Sequence, residues 1–409
     1  MRILLVVANF IPEIGSAAHI YFDLAKAFVK RDHEVDVITS YPRAFYLDKK
    51  DLNNDFPVEE TVEGIKIHRC KYIIAKRDNI HLRGLEHFLL PRCYFKLYKK
   101  IKKKPDVCLI YVPPLPLYYF ARKIKKFDNT PSILNYQDFH PQELIDVGLL
   151  KNRLMIKLME HIEKESYRNA DYITVLCETG KEFIVERGGN PDRVTHIFNG
   201  VNLTDFDLYM AKKDFKSKEN IEDNILVSYA GILSPFQGLD DLLDAAKKLR
   251  KYDDMVFYIV GDGMIKDHLD YRVNTENMRN VKIMPLQSRD EYFNIINSSD
   301  ISIVSLDKRM TAPAMPGKLI NLLAVKQPII ANVPAFNGTA HVVEKAQCGV
   351  VTEPGNINQL ANAIITLKDN PELRAEAGLR GRRFLEEEMN LEKSAVLYEQ
   401  IFKSALNVH

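Results

Sequence analysis

Short apolar runs alternate with helix-period segments along this chain, and the alternation halts once and restarts. Arg2 to Ala8 (RILLVVA) is apolar after its first residue and too short for a helix, the form of a strand buried on both faces of a parallel sheet. Ile20, Leu24 and Phe28 follow at four-residue spacing, one apolar face of a helix, and Glu34 to Ser40 is strand again. Val62 to Tyr72 reads as strand, open to a hairpin around Glu63-Gly64. Strands at Asp106 to Val112, Ser132 to Tyr136 and Tyr172 to Leu176 alternate with helices at Leu85 to Lys104, Leu117 to Lys126 and Asn152 to Asn169. This order predicts a parallel, doubly wound α/β domain. Its first βαβ unit lacks G-x-G-x-x-G, so no dinucleotide is implied.

Residues 201–223 are polar and follow Asn199-Gly200, which marks them as a linker. The pattern then restarts, with strands at Ile225 to Tyr229, Met255 to Val260, Val281 to Met284, Asp300 to Leu306, Pro328 to Ala331 and Gly349 to Thr352. Helices are expected at Leu239 to Lys251, Ile357 to Lys368, Glu372 to Glu387 and Leu391 to Leu406. The domains are therefore 1–200 and 224–385, with 386–409 a closing helix that packs back towards the first domain. Two similar α/β halves make a cleft between them the default ligand site.

A chain of 409 residues can bury two such cores, and its net charge of +2 carries no global nucleic-acid signature. No aromatic-basic motif recurs that would mark an RNA-binding module. The five cysteines are scattered, in no metal spacing, and fit a reduced, cytoplasmic compartment. The first apolar run enters a Pro-containing loop with no A-x-A site, the reading of a first strand and not a signal peptide. No apolar run reaches about 18 residues, the length of a membrane-spanning helix.

The chemistry concentrates at Met310 to Ala324, a loop running into a helix. Pro316 pre-sets φ near the helix start, Gly317 leaves room for a ligand, and Lys318 sets a cation beside the first N–H groups. Together with Leu319 they form an expected seat for a diphosphate; the structural alternative is a helix start whose lysine points into solvent. Gly15, with Ser16 opening a helix, offers N–H groups from the first domain. Asp138 follows a strand and could orient or deprotonate a hydroxyl, or cap the next turn. Glu178 fits a structural role better than a site, and His19, His33, His68 and His161 read as surface or packed histidines. Asp262 between glycines reads as turn chemistry in a loop near which a nucleotide could lie. The basic stretch Arg92 to Lys104 is either a solvated helix face or a contact for an anionic membrane, with Leu90, Tyr94, Leu97 and Ile101 facing the core.

Seven motifs stand in an order that resembles glycosyltransferases of the GT-B fold, family 4. They are Pro12-Glu13-Ile14-Gly15, Gln137-Asp138-Phe139-His140-Pro141, Asn199-Gly200-Val201-Asn202, Tyr229-Ala230-Gly231, Gln237-Gly238-Leu239, Ile259-Val260-Gly261-Asp262-Gly263 and Met315-Pro316-Gly317-Lys318. The likeness runs along essentially the whole chain and is nearest to bacterial transferases of O-antigen, capsule or exopolysaccharide assembly, including those resembling L-fucosamine transferases. It implies two Rossmann-like domains facing a central cleft, the first for acceptor and the second for a nucleotide-sugar. It also implies retaining transfer of a sugar, an N-acetylated one among the candidates, from a nucleotide diphosphate to a lipid-linked or growing glycan at the inner membrane face. UDP is the family-level expectation for the nucleotide, and no metal or other cofactor is expected. The implied catalytic residues are Asp138 and Lys318; those implied for the donor are Gly15, Ser16, Gly231, Gln237, Gly263, Pro316, Gly317, Lys318, Leu319 and Asn321.

The chain departs from that family in its charges. Many members carry Arg and Lys in the loop after the first strand of the second domain, where this chain has Ile232 and Gln237. A Glu-x7-Glu pair is replaced by Pro313 and Asn321. Asn321 can still hydrogen-bond a ribose hydroxyl, without charge assistance. Two other readings therefore stay open: a nucleotide-sugar epimerase of the same shape, and a non-catalytic partner subunit with a degenerate donor site.

Overall fold

The computed structural model describes all residues except 14–15, 44–46, 48–53, 72–79, 211–212, 314 and 409. The chain begins with β1 (Arg2–Val6), α1 (Ser16–Lys30), β2 (Glu34–Ser40), β3 (Glu59–Val62), β4 (Ile65–Cys70), α2 (Ile80–Tyr98) and β5 (Val107–Val112). It continues through α3 (Tyr118–Asp128), β6 (Ser132–Tyr136), α4 (Gln142–Asp146), α5 (Arg153–Asn169), β7 (Tyr172–Val175), α6 (Glu178–Glu186) and β8 (Val194–His196). Next come α7 (Leu203–Tyr209), α8 (Phe215–Lys218), β9 (Ile225–Ala230), α9 (Asp240–Lys248), β10 (Met255–Val260), α10 (Lys266–Thr275), β11 (Val281–Met284), α11 (Arg289–Ser298) and β12 (Ile301–Ser305). The last are α12 (Lys318–Ala324), β13 (Ile329–Asn332), α13 (Gly338–Ala346), β14 (Gly349–Thr352), α14 (Ile357–Asp369), α15 (Pro371–Glu388) and α16 (Leu391–Val408).

Two units result. The first holds Met1–Gln142, Leu150–Val201 and Met389–His409; the second holds Glu143–Leu149 and Asn202–Glu388. The first unit's eight-stranded sheet has the order β3-β4-β2-β1-β5-β6-β7-β8 and is parallel except at β3–β4. That pair is a hairpin turning at Glu63 and Gly64, both at positive φ. Ile3, Leu5, Leu109 and Ile133 of the sheet pack with Leu24 and Phe28 of α1 and with Tyr398 and Phe402 of α16. The second unit's six strands are all parallel, in the order β11-β10-β9-β12-β13-β14. Val227, Phe257, Ile259 and Ile303 there meet Leu242 and Leu243 of α9 and Leu360 and Ile364 of α14. Each unit is a doubly wound α/β domain, as the alternation predicts.

Departures from the sequence reading have physical causes. The helix expected to reach Lys104 stops at Tyr98, where Lys100 and Ile101 amides turn back onto the carbonyls of Leu97 and Tyr98. Five lysines between 99 and 104 repel one another along any continued helix, and Pro105 disfavours helical backbone just before it. Leu90, Tyr94 and Leu97 are buried as expected, but Ile101 lies beyond the helix. The stretch 201–223 carries α7 and α8 in the second unit. Phe206 packs edge-on to Phe293, and Phe215 edge-on to Tyr258. Among the described residues no helix is long and apolar enough to cross a membrane.

Candidate functional site

In an open parallel sheet, ligands seat beyond the carboxyl ends of the strands, where neighbouring connections leave in opposite directions. In the second unit that point lies between β9 and β12, because β10 flanks β9 on its other side. The loops leaving these two strands are pinned together. The Asp307 amide donates to the Phe236 carbonyl at 2.8 Å, and a side chain at Gly238 (φ +54°) would sit 2.9 Å from Asp307 Cα.

This junction brings Lys318 to Gln237. The Lys318 ammonium, on the first residue of α12, donates to Gln237 Oε1 at 2.8 Å and to Tyr229 Oη at 2.6 Å. It also stands 3.8 Å from the centroid of the Tyr229 ring. Tyr229 Oη lies 2.8 Å from the Ile232 carbonyl and 2.9 Å from Gln237 Oε1, and its one proton can serve either. A side chain at Gly231 would come within 3.0 Å of Lys318 Nζ, so glycine there leaves the ammonium its space. Both acceptors around the cation are neutral. Burial consequently pulls the Lys318 pKa down to about 7. Such a cation is poised to gain most from an anionic ligand.

The remaining donor-site expectations meet the structure in different ways. Pro316 and Gly317 precede α12, but the Leu319 amide donates to the Pro316 carbonyl at 3.0 Å, so it is not a free N–H group. The helix has only seven residues, which moves the burden of charge from its terminus to the Lys318 ammonium. The Asn321 side-chain amide donates to Tyr292 Oη at 3.1 Å. Gly263 and Gly261 are packing residues: Cβ atoms there would lie 2.2 Å from the Leu233 carbonyl oxygen and 1.9 Å from that of Gly231. They let the loops after β9 and β10 touch backbone to backbone and so hold Gly231 in place. Asp262 accepts from the Gly263 amide at 2.9 Å, the turn chemistry expected of it.

The sequence reading noted Ile232 only as a lost charge and missed two further apolar side chains at the same edge, Met264 and Leu286. Ile232, Met264 and Leu286 follow β9, β10 and β11, which are neighbours in the sheet, and are 70%, 64% and 74% exposed. An apolar residue just past a strand end, where turn residues are the rule, was the available signal.

In the first unit, Asp138 lies just beyond β6. Burial raises its pKa while the charge of His140 works against the rise; burial lowers His140 while Asp138 opposes that. The two groups thus exchange influence in one poorly solvated place, and Asp138 also raises the pKa of Tyr111, after burial. Gln137 has a structural task. It makes a reciprocal amide pair with Asn199, at 2.7 and 3.1 Å, and donates to Asn135 at 2.6 Å. Gly200 packs so closely on α16 that a Cβ would sit 2.5 Å from Leu391 Cα. Glu178 faces His196 at 3.4 Å. His33 and His68 pair with Glu399 and Asp36, both at 2.9 Å. Gly15 lies outside the described residues; Ser16 opens α1, and its side chain is not among those described. Next to them Glu13 is buried, accepts from the Arg43 amide at 3.0 Å, and has its pKa pushed up to about 7 by burial.

Comparison with known proteins gives a consistent picture. Residues 15–200 match the glycosyl transferase 4-like domain, and residues 211–384 match the glycosyl transferases group 1 family. The relative named "Putative colanic acid biosynthesis glycosyl transferase WcaI", from Escherichia coli (strain K12), is 25% identical over 378 residues, 89% of this chain and 91% of its own. Two solved structures share the fold at 17% identity. Sucrose-phosphate synthase from Thermosynechococcus elongatus has a TM-score of 0.76 and covers 100% of both chains. Anabaena Alr3699/HepE, solved in complex with UDP, has a TM-score of 0.70 over 99% of this chain and 100% of that one. Two adjoining family matches that together span most of the sequence, on two parallel-sheet domains of this kind, make the chain a glycosyltransferase of the GT-B fold and family 4 type.

Proposed function

We propose that this glycosyltransferase moves a sugar, with retention of configuration, from a UDP-type nucleotide diphosphate to a lipid-linked or growing glycan in surface polysaccharide assembly. The observation that carries this reading is the Lys318 ammonium at the β9–β12 switch point, held by neutral oxygens of Gln237 and Tyr229. The family likeness expects a lysine at position 237. Here the amide at 237 touches an ammonium that arrives from position 318, so the cation is supplied from a different stretch of chain.

Breaking the bond from sugar to diphosphate leaves negative charge on the leaving oxygens, and a fixed cation aimed there lowers the barrier. Lys318 plays that part, and no divalent metal is assigned. The exposed Ile232, Met264 and Leu286 offer the nucleoside an apolar floor beside the diphosphate. Asp138 orients or deprotonates the acceptor hydroxyl, helped by a raised pKa that makes it a stronger base. The colanic acid name of the relative supports a polysaccharide product, as the bound UDP of HepE supports the nucleotide.

The test is a transfer assay with a panel of UDP-sugars and membrane lipid extract as acceptor, run with EDTA present. Wild type transfers under these conditions, and Lys318→Ala loses about a hundredfold in turnover, the low end for removal of an oxyanion-type donor. Transfer that survives Lys318→Ala unchanged removes the lysine from the mechanism. A sugar altered in the absence of acceptor identifies an epimerase instead.

A further inference from the structure

Two of the five cysteines meet in the first unit. Cys70 is the last residue of β4, and its in-register partner on β2 is Ser40, so the two side chains stand on one face of the sheet. The Ser40 hydroxyl lies 2.7 Å from that of Tyr94, which makes this the face that α2 covers. Cys93 precedes Tyr94 on the same helix. That packing brings the thiols of Cys70 and Cys93 into a shared hydrogen bond. The Tyr41 amide donates to the Cys70 carbonyl at 3.1 Å and fixes the end of the strand.

The pair differs from the other cysteines in access. Cys70 and Cys93 are half-buried, whereas Cys108, Cys177 and Cys348 are buried, and burial pushes all three of those thiols up. Burial, and then the Cys93 thiol, push Cys70 up to about 12, while Lys96 and Lys100 work against the rise. Cys70 therefore keeps its proton and donates it in the hydrogen bond. Cys93 is the accepting sulfur, with Lys96 one turn further along α2 as a cation at its side. A thiolate is the reactive form of cysteine, and a neighbouring cation and a donated hydrogen bond both favour it.

We propose that Cys93 and Cys70 form a reversible oxidation site, a dithiol that a peroxide converts into a disulfide. The Cys93 sulfur attacks one peroxide oxygen, the O–O bond breaks, and the Cys93 proton ends on the departing oxygen as water. Cys93 is then a sulfenic acid. The Cys70 sulfur attacks the Cys93 sulfur, the S–O bond breaks, and the hydroxide takes the Cys70 proton and leaves as a second water. The two thiols lose two electrons and the peroxide gains them. Sulfurs in hydrogen-bond contact need only a short approach to reach the S–S length of about 2.05 Å. A dithiol reductant reverses the step by exchange, so in a reducing compartment the bond is transient. The two elements it joins both bear on the loop after β1. Arg69, beside Cys70, donates to the Ile11 carbonyl at 3.0 Å, and Glu86 of α2 stands 3.5 Å from Arg43, whose amide donates to Glu13. The site belongs to the first unit and Lys318 to the second, so it stands apart from the donor-site reading.

The test exposes the reduced full chain to hydrogen peroxide, blocks the remaining thiols and digests the protein without reductant. Wild type yields one peptide pair joined through Cys70 and Cys93, two hydrogen masses lighter than the separate peptides, and dithiothreitol parts them. The bond forms at least about tenfold faster than Cys108, Cys177 or Cys348 is oxidised, as accessible thiols do relative to buried ones. Cys70→Ser stops at the sulfenic acid of Cys93, which dimedone traps, and Cys93→Ser gives no adduct at Cys70. The wild-type result decides the matter even where a serine variant fails to fold. Five thiols still free after peroxide, a link that forms only in denaturant, a link between two copies of the chain, or equal oxidation of the buried cysteines each overturns the proposal.

Discussion

At the scale of single residues, the account turns on one displaced cation. Gln237 and Lys318 were both readable as motif positions, and so was the loss of charge at 232 and 237. Their meeting was not readable, because it depends on how the β9 and β12 loops pack, and that packing is set by Gly238 against Asp307 and not by either motif. The reading of free amides at the α12 start failed at Leu319 for a similar reason: the short helix begins with a tight turn back to Pro316. A lysine lowered to about 7 by burial has a pH consequence. In the proposed role its charged form binds diphosphate, and that form is lost in the free protein as pH rises through 7. Binding restores the charge by taking up a proton, so UDP affinity falls with rising pH from about 7 towards the higher pKa of the complex, by at most tenfold per unit. Titrations at pH 6.5, 7.5 and 8.5 in buffers of different ionisation enthalpy show that uptake in wild type, and Lys318→Ala lacks it.

At the scale of elements, periodicity located most strands of both sheets, because parallel strands buried on two faces leave unbroken apolar runs. It missed β8, which has three residues, and gave no range for the helices α4, α6, α10, α11 and α13. Lys266 to Thr275 buries only Leu269, so an apolar stripe scarcely exists to be read. The linker reading of 201–223 gave too little weight to Phe206 and Phe215, which anchor α7 and α8. The glycines after β10 were legible as a turn, but their contact with the β9 loop was not. Gly261→Ala places a methyl 1.9 Å from the Gly231 carbonyl oxygen and forces the two loops apart. Urea unfolding should show a loss of about 2–4 kcal/mol, in the upper range for a point substitution, together with weaker UDP binding.

At the scale of the whole molecule, two doubly wound units and the restart between them were legible from the alternation alone. Which unit each segment joins was less so for Glu143–Leu149, which the second unit takes out of the first half of the sequence; Met389–His409 falls in the first unit, towards which a closing helix was expected to pack. The closing helix is part of the first core, with Phe402 packed on Phe28 at 5.6 Å between ring centroids. Phe402→Ala should cost about 3–5 kcal/mol in the first unit by leaving a cavity. Denaturation followed by calorimetry would show that loss, while UDP, proposed above to seat on the second unit, still binds. In the proposed function Lys318 meets the donor diphosphate in place of a lysine at 237. Calorimetric titration of UDP into wild type, Lys318→Ala and Lys318→Ala/Gln237→Lys decides the point. Wild type is expected to bind, removal of the ammonium to weaken binding by more than about tenfold, and a lysine returned at 237 to restore much of it. Equal UDP affinity in all three proteins would contradict it.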